Sequence, residues 1–272
     1  MRNKKKWLLV VSMLALVVVL TGCGTSEVSQ SSSGVWDRYI VYYFGQAIEA
    51  LSFGNPGIGI ILFTIIIRII LMPLMHYQTK SMRKTQELQP KLKALQEKYA
   101  SKDPDTVRKL QEEQQRLYSE HNVNPLSGCL PLVIQLPIMM ALWQSISRIP
   151  SLTTGTFLWV ELGKPDPYYI LPILAAIFTF ISTKLNAMGQ PDTQGAMKAM
   201  TYLMPVLILF MGWQLASGLS LYWVVSNAFQ VGQTLLINNP FKLRQEREKE
   251  AQRLRDIERA LRKANMPKKK RK

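Results

Sequence analysis

The sequence predicts an all-α membrane protein: five transmembrane helices around a hydrophilic groove, a cytoplasmic helical hairpin and an external amphipathic helix. Three observations predict it. The chain is 47% apolar yet carries a formal charge of +16, because long apolar runs alternate with basic polar blocks rather than mixing as in a soluble core. Five of the runs are about long enough to cross a bilayer core of roughly 30 Å. The first, GIGIILFTIIIRIILMPLM from Gly57 to Met75, holds a single arginine, Arg68, near its middle. A charge at that depth is costly, so something must hydrate or pair it.

The chain opens with Arg2, Lys4, Lys5 and Lys6, then an apolar run from Trp7 to Leu20 ending in Leu20-Thr21-Gly22-Cys23. That tetrapeptide resembles the bacterial lipobox, which makes 1–22 a lipoprotein signal peptide and Cys23 the lipidated new N-terminus. The plainer readings are an ordinary signal peptide or a short first span. Residues 23–56 then form an external segment. Ser26 to Gly34 reads as a flexible linker. Val35 to Phe53 sets aromatic and apolar residues among Asp37, Arg38, Gln46 and Glu49, as an interfacial amphipathic helix does.

The first span is 57–77. Residues 78–125 are polar, with ten basic and seven acidic side chains. Leu88, Leu92, Leu95 and Tyr99 recur at helical spacing, as do Val107, Leu110, Gln114 and Leu117, on either side of the turn signal Ser101 to Asp105. The block reads as a cytoplasmic helical hairpin, either a plain linker or a docking element. The second span is 126–147, with Pro131, Gln135, Pro137 and Gln144. A charge-poor external loop (148–167) leads to the third span, 168–188. A cytoplasmic loop (189–195), the fourth span (196–215), an external turn (216–218) and the fifth span (219–237) follow. The tail, 238–272, has fourteen basic and five acidic residues. An exported N-terminus and five crossings put hairpin and tail in the cytoplasm, in agreement with the positive-inside rule.

At 1.5 Å per residue Arg68 lies about 12 Å from the cytoplasmic end of its span. Gln135, Asn227 and Gln230 reach a similar depth. Trp223, Asn227, Gln230 and Thr234 form one stripe, with Ser220 and Ser226 nearby, and Thr179, Ser182 and Thr183 add hydroxyls. Thr64 precedes Arg68 by one turn. These groups are expected to surround a wet cavity in the inner half of the membrane, below a mostly apolar outer half. Taken singly, each amide reads more readily as hydrogen-bond glue between helices. Arg68 has no acidic residue in any span to pair with. No catalytic constellation, phosphate loop or metal-ligand cluster appears. An enzyme, a cofactor and a metal are therefore not expected, and Cys129 reads as a small packing residue. Two disulfide-free classes compete with a polypeptide host: a small-solute or ion transporter using the same polar layer, for which no internal repeat is found, and a lipid-anchored scaffold, which leaves Arg68 unexplained.

Asn124-Pro125-Leu126-Ser127-Gly128-Cys129-Leu130-Pro131, then Gln135, Pro137-Ile138 and Ala141-Leu142-Trp143, closely resembles the second-span signature of the YidC membrane protein insertases. Gly218-Leu-Ser-Leu-Tyr222-Trp223 with Ser226-Asn227 resembles that of their last span. Arg68 before Pro73 is similar to the family's intramembrane arginine, and Glu87 to Tyr99 to its cytoplasmic hairpin. The lipobox and the lack of a large exported domain point to the Gram-positive lipoprotein (SpoIIIJ-like) branch. The resemblance implies a groove open to cytoplasm and lipid but closed outward, in the plasma membrane. It implies nascent membrane proteins as substrates, inserted alone or beside the Sec translocon. It also implies contacts with the signal recognition particle machinery through the hairpin. The basic tail suits ribosomal RNA in the ribosome or anionic membrane lipids.

Overall fold

The computed structural model describes residues 26–124, 130–188, 195–237 and 239–265. The signal peptide, Cys23, Cys129, most of the 189–195 loop and the terminal lysine cluster lie outside the described residues. The described chain is all-α apart from one two-residue ladder.

A π-helical turn, Asp37–Val41, runs into α1, Tyr42–Ala50. Asn55 then caps α2, Pro56–Glu87, by accepting from the Gly57 amide at 3.0 Å, with proline at the first helical position. α2 continues without a break well past the expected span end at residue 77. The hairpin is α3, Gln89–Lys98, and α4, Pro104–Glu120. Asp103 caps α4 through the Thr106 amide. Hydrogen bonds from Ser101 and Thr106 hold its carboxyl well below the usual carboxylate range.

α5 is Leu130–Arg148, followed by the short α6, Pro150–Thr153. Strands β1, Thr156–Phe157, and β2, Val160–Glu161, pair antiparallel around Leu158-Trp159. Then come α7, Ile170–Met188, α8, Gly195–Gln214, α9, Ser217–Ile237, and the exposed tail helix α10, Pro240–Asn265. By length and composition, the continuous stretch 56–98 and Ile170–Met188 can cross a membrane, and Ala199–Gln214 is a shorter apolar helix. The expected spans 126–147 and 219–237 carry polar side chains that include Gln135, Gln144, Ser226 and Gln230. Gln135, Ser226 and Gln230 meet neighbouring helices, as shown below.

α9 is the central helix. It packs along α7 and α2 and touches α5, while α7 carries α8 on its other side. The 148–169 segment forms a cap over one end of the bundle. Leu152, Val160 and Leu162 are buried in it, and the Gly218 and Ser217 amides donate to the Leu162 and Lys164 carbonyls at 2.9 and 2.7 Å. Asp166, 1% exposed, ties the cap together. Its carboxylate accepts from the Trp159 indole (3.0 Å) and from the amides of Tyr168 (3.0 Å) and Leu171 (2.8 Å).

The start of the segment expected to be a flexible linker is docked, while Ser29, Gln30, Ser31, Ser33 and Gly34 are exposed. Val28 is buried, its amide donates to the Arg148 carbonyl at 3.2 Å, and the Ser26 carbonyl accepts from Arg148 Nε at 2.7 Å. Nor does α1 simply lie on a surface. Trp36, Val41 and Ile48 are buried, while Tyr39 and Tyr43 on the opposite face stay exposed.

Candidate functional site

Arg68 sits on α2 one turn beyond Thr64, where the buried face of the helix gives way to a mostly exposed one. Ile60, Phe63 and Thr64 are buried, whereas Ile69, Ile70, Leu74 and Tyr77 are exposed. The guanidinium reaches α9. Its Nε donates to Ser226 Oγ at 2.9 Å, its Nη2 donates to the same oxygen, and its Nη1 donates to Gln230 Oε1 at 3.4 Å. Each of these acceptors is neutral, so the positive charge is solvated but not cancelled. Ser226 is 1% exposed, and a hydroxyl fixed that deeply holds the guanidinium against α9 rather than letting it snorkel.

One turn earlier on α9, Tyr222 OH accepts from the Gln135 side-chain amide of α5. Tyr222, Ser226 and Gln230 are four residues apart, so they share one face of the helix. The result is a polar row in which α9 bridges α5 on one side and α2 on the other.

The sequence placed Arg68, Gln135 and Gln230 at one depth, and the structure joins all three to the same face of α9. The remaining expected members are held elsewhere. Asn227 Nδ2 donates to the Trp223 carbonyl of its own helix at 2.9 Å. Trp223 is buried in the apolar core. Thr64, though buried beside the row, returns its hydroxyl to the Ile60 carbonyl at 2.6 Å. Thr183 donates to the Thr179 carbonyl at 2.8 Å, with the α8 carbonyl of Thr201 at 3.4 Å, so it belongs to the α7–α8 contact. The two residues that complete the row, Ser226 and Tyr222, appeared in the sequence as a nearby hydroxyl and as part of a motif. The signal that could have found them is the four-residue spacing 222, 226, 230, which competes with 223, 227, 230, 234 on the same helix.

The packing on the two sides of this row is unequal. The apolar core cluster is built from Val28 to Phe63, Ala141 to Leu162, Leu171, Ala175 and Ala216 to Trp223. All of it lies on the cap side of Arg68, Gln135 and Ser226. On the hairpin side, the buried side chains described include Gln78, Gln86, Ser182 and Thr234 with the apolar Leu88 and Leu92, and the Gln78 amide has no hydrogen-bond partner among the described residues. One end of the bundle therefore holds the contiguous apolar cluster, with buried polar groups such as Arg148 and Asp166 satisfied within it. Polar groups line the other, and Arg68 marks the boundary. Among the described residues no cluster of three potential metal-ligating side chains occurs.

Comparison with known proteins identifies the family. Residues 48–246 match the family model described as the 60Kd inner membrane protein. The chain is 66% identical to the membrane protein insertase YidC of Enterococcus faecalis, over 99% of this chain and 98% of the relative. It is 52% identical to YidC 2 of Listeria innocua, over 91% and 88%. Among solved structures it resembles one titled as an active YidC insertase with its first transmembrane domain resolved, with 33% identity and a TM-score of 0.56. That likeness covers 75% of this chain, which spans about half (47%) of the solved one.

Proposed function

The chain belongs to the 60Kd inner membrane protein family, that of the YidC membrane protein insertases, and on that premise we propose how its polar row serves insertion. The protein is a plasma-membrane insertase whose substrates are nascent membrane proteins. The observation that carries the reading is the Arg68 guanidinium, held by neutral acceptors at the edge of the apolar core.

An incoming polar or acidic segment must leave water before it can cross. Arg68, Ser226, Gln230 and the Gln135–Tyr222 pair offer it a positive charge and hydrogen-bonding groups part-way, reducing the cost of desolvation. The closely packed cap side bars a continuous aqueous path. The substrate's apolar segment then enters lipid, and burial of about twenty apolar residues supplies the driving force without a nucleotide. The hairpin and tail face the cytoplasm in this reading and the cap faces outward, with Cys23 lipidated outside. The distribution of basic residues supports that orientation. The hairpin receives substrate or the signal recognition particle machinery, the basic tail meets ribosomal RNA, and the protein works alone or with the Sec translocon. Insertase relatives over nearly the full chain favour this reading over a solute transporter.

The test replaces Arg68 in cells depleted of any paralogue. Arg68→Ala is expected to block insertion of a single-span substrate with an acidic exported tail, and Arg68→Lys to preserve most of it. Wild-type insertion by Arg68→Ala would refute the groove mechanism.

A further inference from the structure

A second buried arginine, which the groove does not use, lies at the opposite end of the bundle. Arg148, the last residue of α5, is 7% exposed. Its Nη2 and Nη1 donate to the two carboxylate oxygens of Asp37 at 2.6 and 3.0 Å. Nη1 also donates to Gln144 Oε1 at 2.9 Å, and Nε to the Ser26 carbonyl at 2.7 Å. The Trp36 indole shares the Gln144 oxygen at 3.2 Å. Each guanidinium nitrogen is therefore engaged, and the network ties the start of the peripheral helix to α5.

What this network spans gives it a role. α2 and α5 meet directly over few residues, and α1 packs against both. On the α2 side the backbones approach so closely that a Cβ at Gly59 would lie 2.3 Å from the Ile48 carbonyl oxygen, and Phe44 meets Phe63 edge-on at 5.0 Å. On the α5 side, the Ser145 hydroxyl sits between the Ala141 carbonyl of its own helix (2.8 Å) and the Val41 carbonyl (3.0 Å), and Ile149 occupies the space that a Cβ at Gly45 would need. α1 is a strap across the α2–α5 seam. A buried ion pair is a poor source of net stability but a strict one of registry, since breaking it leaves a charge uncompensated.

We propose that Arg148 and Asp37 are positioning residues for insertion: they rivet α1 across α2 and α5 and keep the seam shut at the cap end. The polar end near Arg68 is then free to part around a substrate. This inference rests on the groove reading, because the seam matters only if substrate enters between these helices.

The experiment measures the seam and insertion separately. Spin labels at the exposed positions Ile58→Cys on α2 and Trp143→Cys on α5, with Cys129→Ser, report the cap-end separation in proteoliposomes without substrate. Arg148→Gln is expected to lengthen and broaden that distance and to lose most insertion activity. The charge swap Asp37→Arg with Arg148→Asp restores part of both. In an unlabelled Arg148→Gln protein, a disulfide between Gly45→Cys and Ile149→Cys restores insertion by replacing the rivet covalently. If Arg148→Gln keeps the wild-type distance, or if the formed disulfide leaves insertion unrestored, the inference is overturned. Should Arg148→Gln fail to fold, the charge swap gives the same decision: it folds and inserts, or the pair is not a rivet. Arg68→Ala run in parallel separates the two ideas, since it removes insertion at an unchanged cap-end distance if the groove reading holds.

Discussion

Replacing Ser226 with alanine removes the one oxygen that accepts from both Nε and Nη2 of Arg68. Hydrogen bonds to a charged group contribute about 1.5–3 kcal/mol each. Both bonds share one oxygen and the guanidinium is half-buried, so water replaces part of what is lost and the values do not add. Gln230, at 3.4 Å, keeps only a long contact. The expected coupling between Arg68 and Ser226 is thus near the lower bound, about 1.5 kcal/mol, or roughly tenfold in an unfolding equilibrium. A double-mutant cycle of Arg68→Ala, Ser226→Ala and the pair, unfolded with SDS in mixed micelles, measures it directly. Coupling below ~0.5 kcal/mol, the scatter expected for independent sites, would refute the view that Ser226 holds the guanidinium.

Two further substitutions test the packing that carries the site. Gly59→Leu drives a side chain into the Ile48 carbonyl and Ser52 Oγ and is expected to cost about 1–3 kcal/mol. At Gly232 an added Cβ meets nothing within 4 Å, so Gly232→Ala should stabilise by up to ~1 kcal/mol through helix propensity; a stabilising Gly59→Leu or a destabilising Gly232→Ala in the same unfolding assay would refute the corresponding assignment. Asp166→Ala orphans one indole and two backbone donors in the cap and should cost about 3 kcal/mol. Asp166→Asn can keep the oxygen that serves Trp159 and Tyr168 but turns a donor toward the Leu171 amide, so its stability should fall between alanine and wild type.

Much of the site was legible because charge in an apolar run is conspicuous. Arg68 stands alone among aliphatic residues, and helical rise converts position into depth. That placed Gln135 and Gln230 near its level; Gln230 meets the guanidinium, and Gln135 meets Tyr222 on the same helix. Rotation about the helix axis was not legible. On α9 the polar residues at 223, 227, 230 and 234 and those at 222, 226 and 230 are both spaced by three or four, and periodicity does not choose between faces one residue apart. Neighbour packing chooses: Trp223 fills the apolar core and Tyr222 turns to Gln135. Threonine and asparagine are also ambiguous in sequence, since each can return its hydrogen bonds to its own helix, as Thr64 and Asn227 do.

The sequence by itself determined the family, the all-α character and the one costly charge, because these follow from composition, spacing and motif. Only the tertiary structure decided that Ser26 and Val28 dock against Arg148. It also showed that α1 straps α2 to α5, and that the apolar core ends at Arg68. Those outcomes depend on contacts over more than a hundred residues of chain, such as Asp37 with Arg148 and Arg68 with Ser226. No local periodicity encodes them. They are settled when a buried donor finds the acceptor that satisfies it.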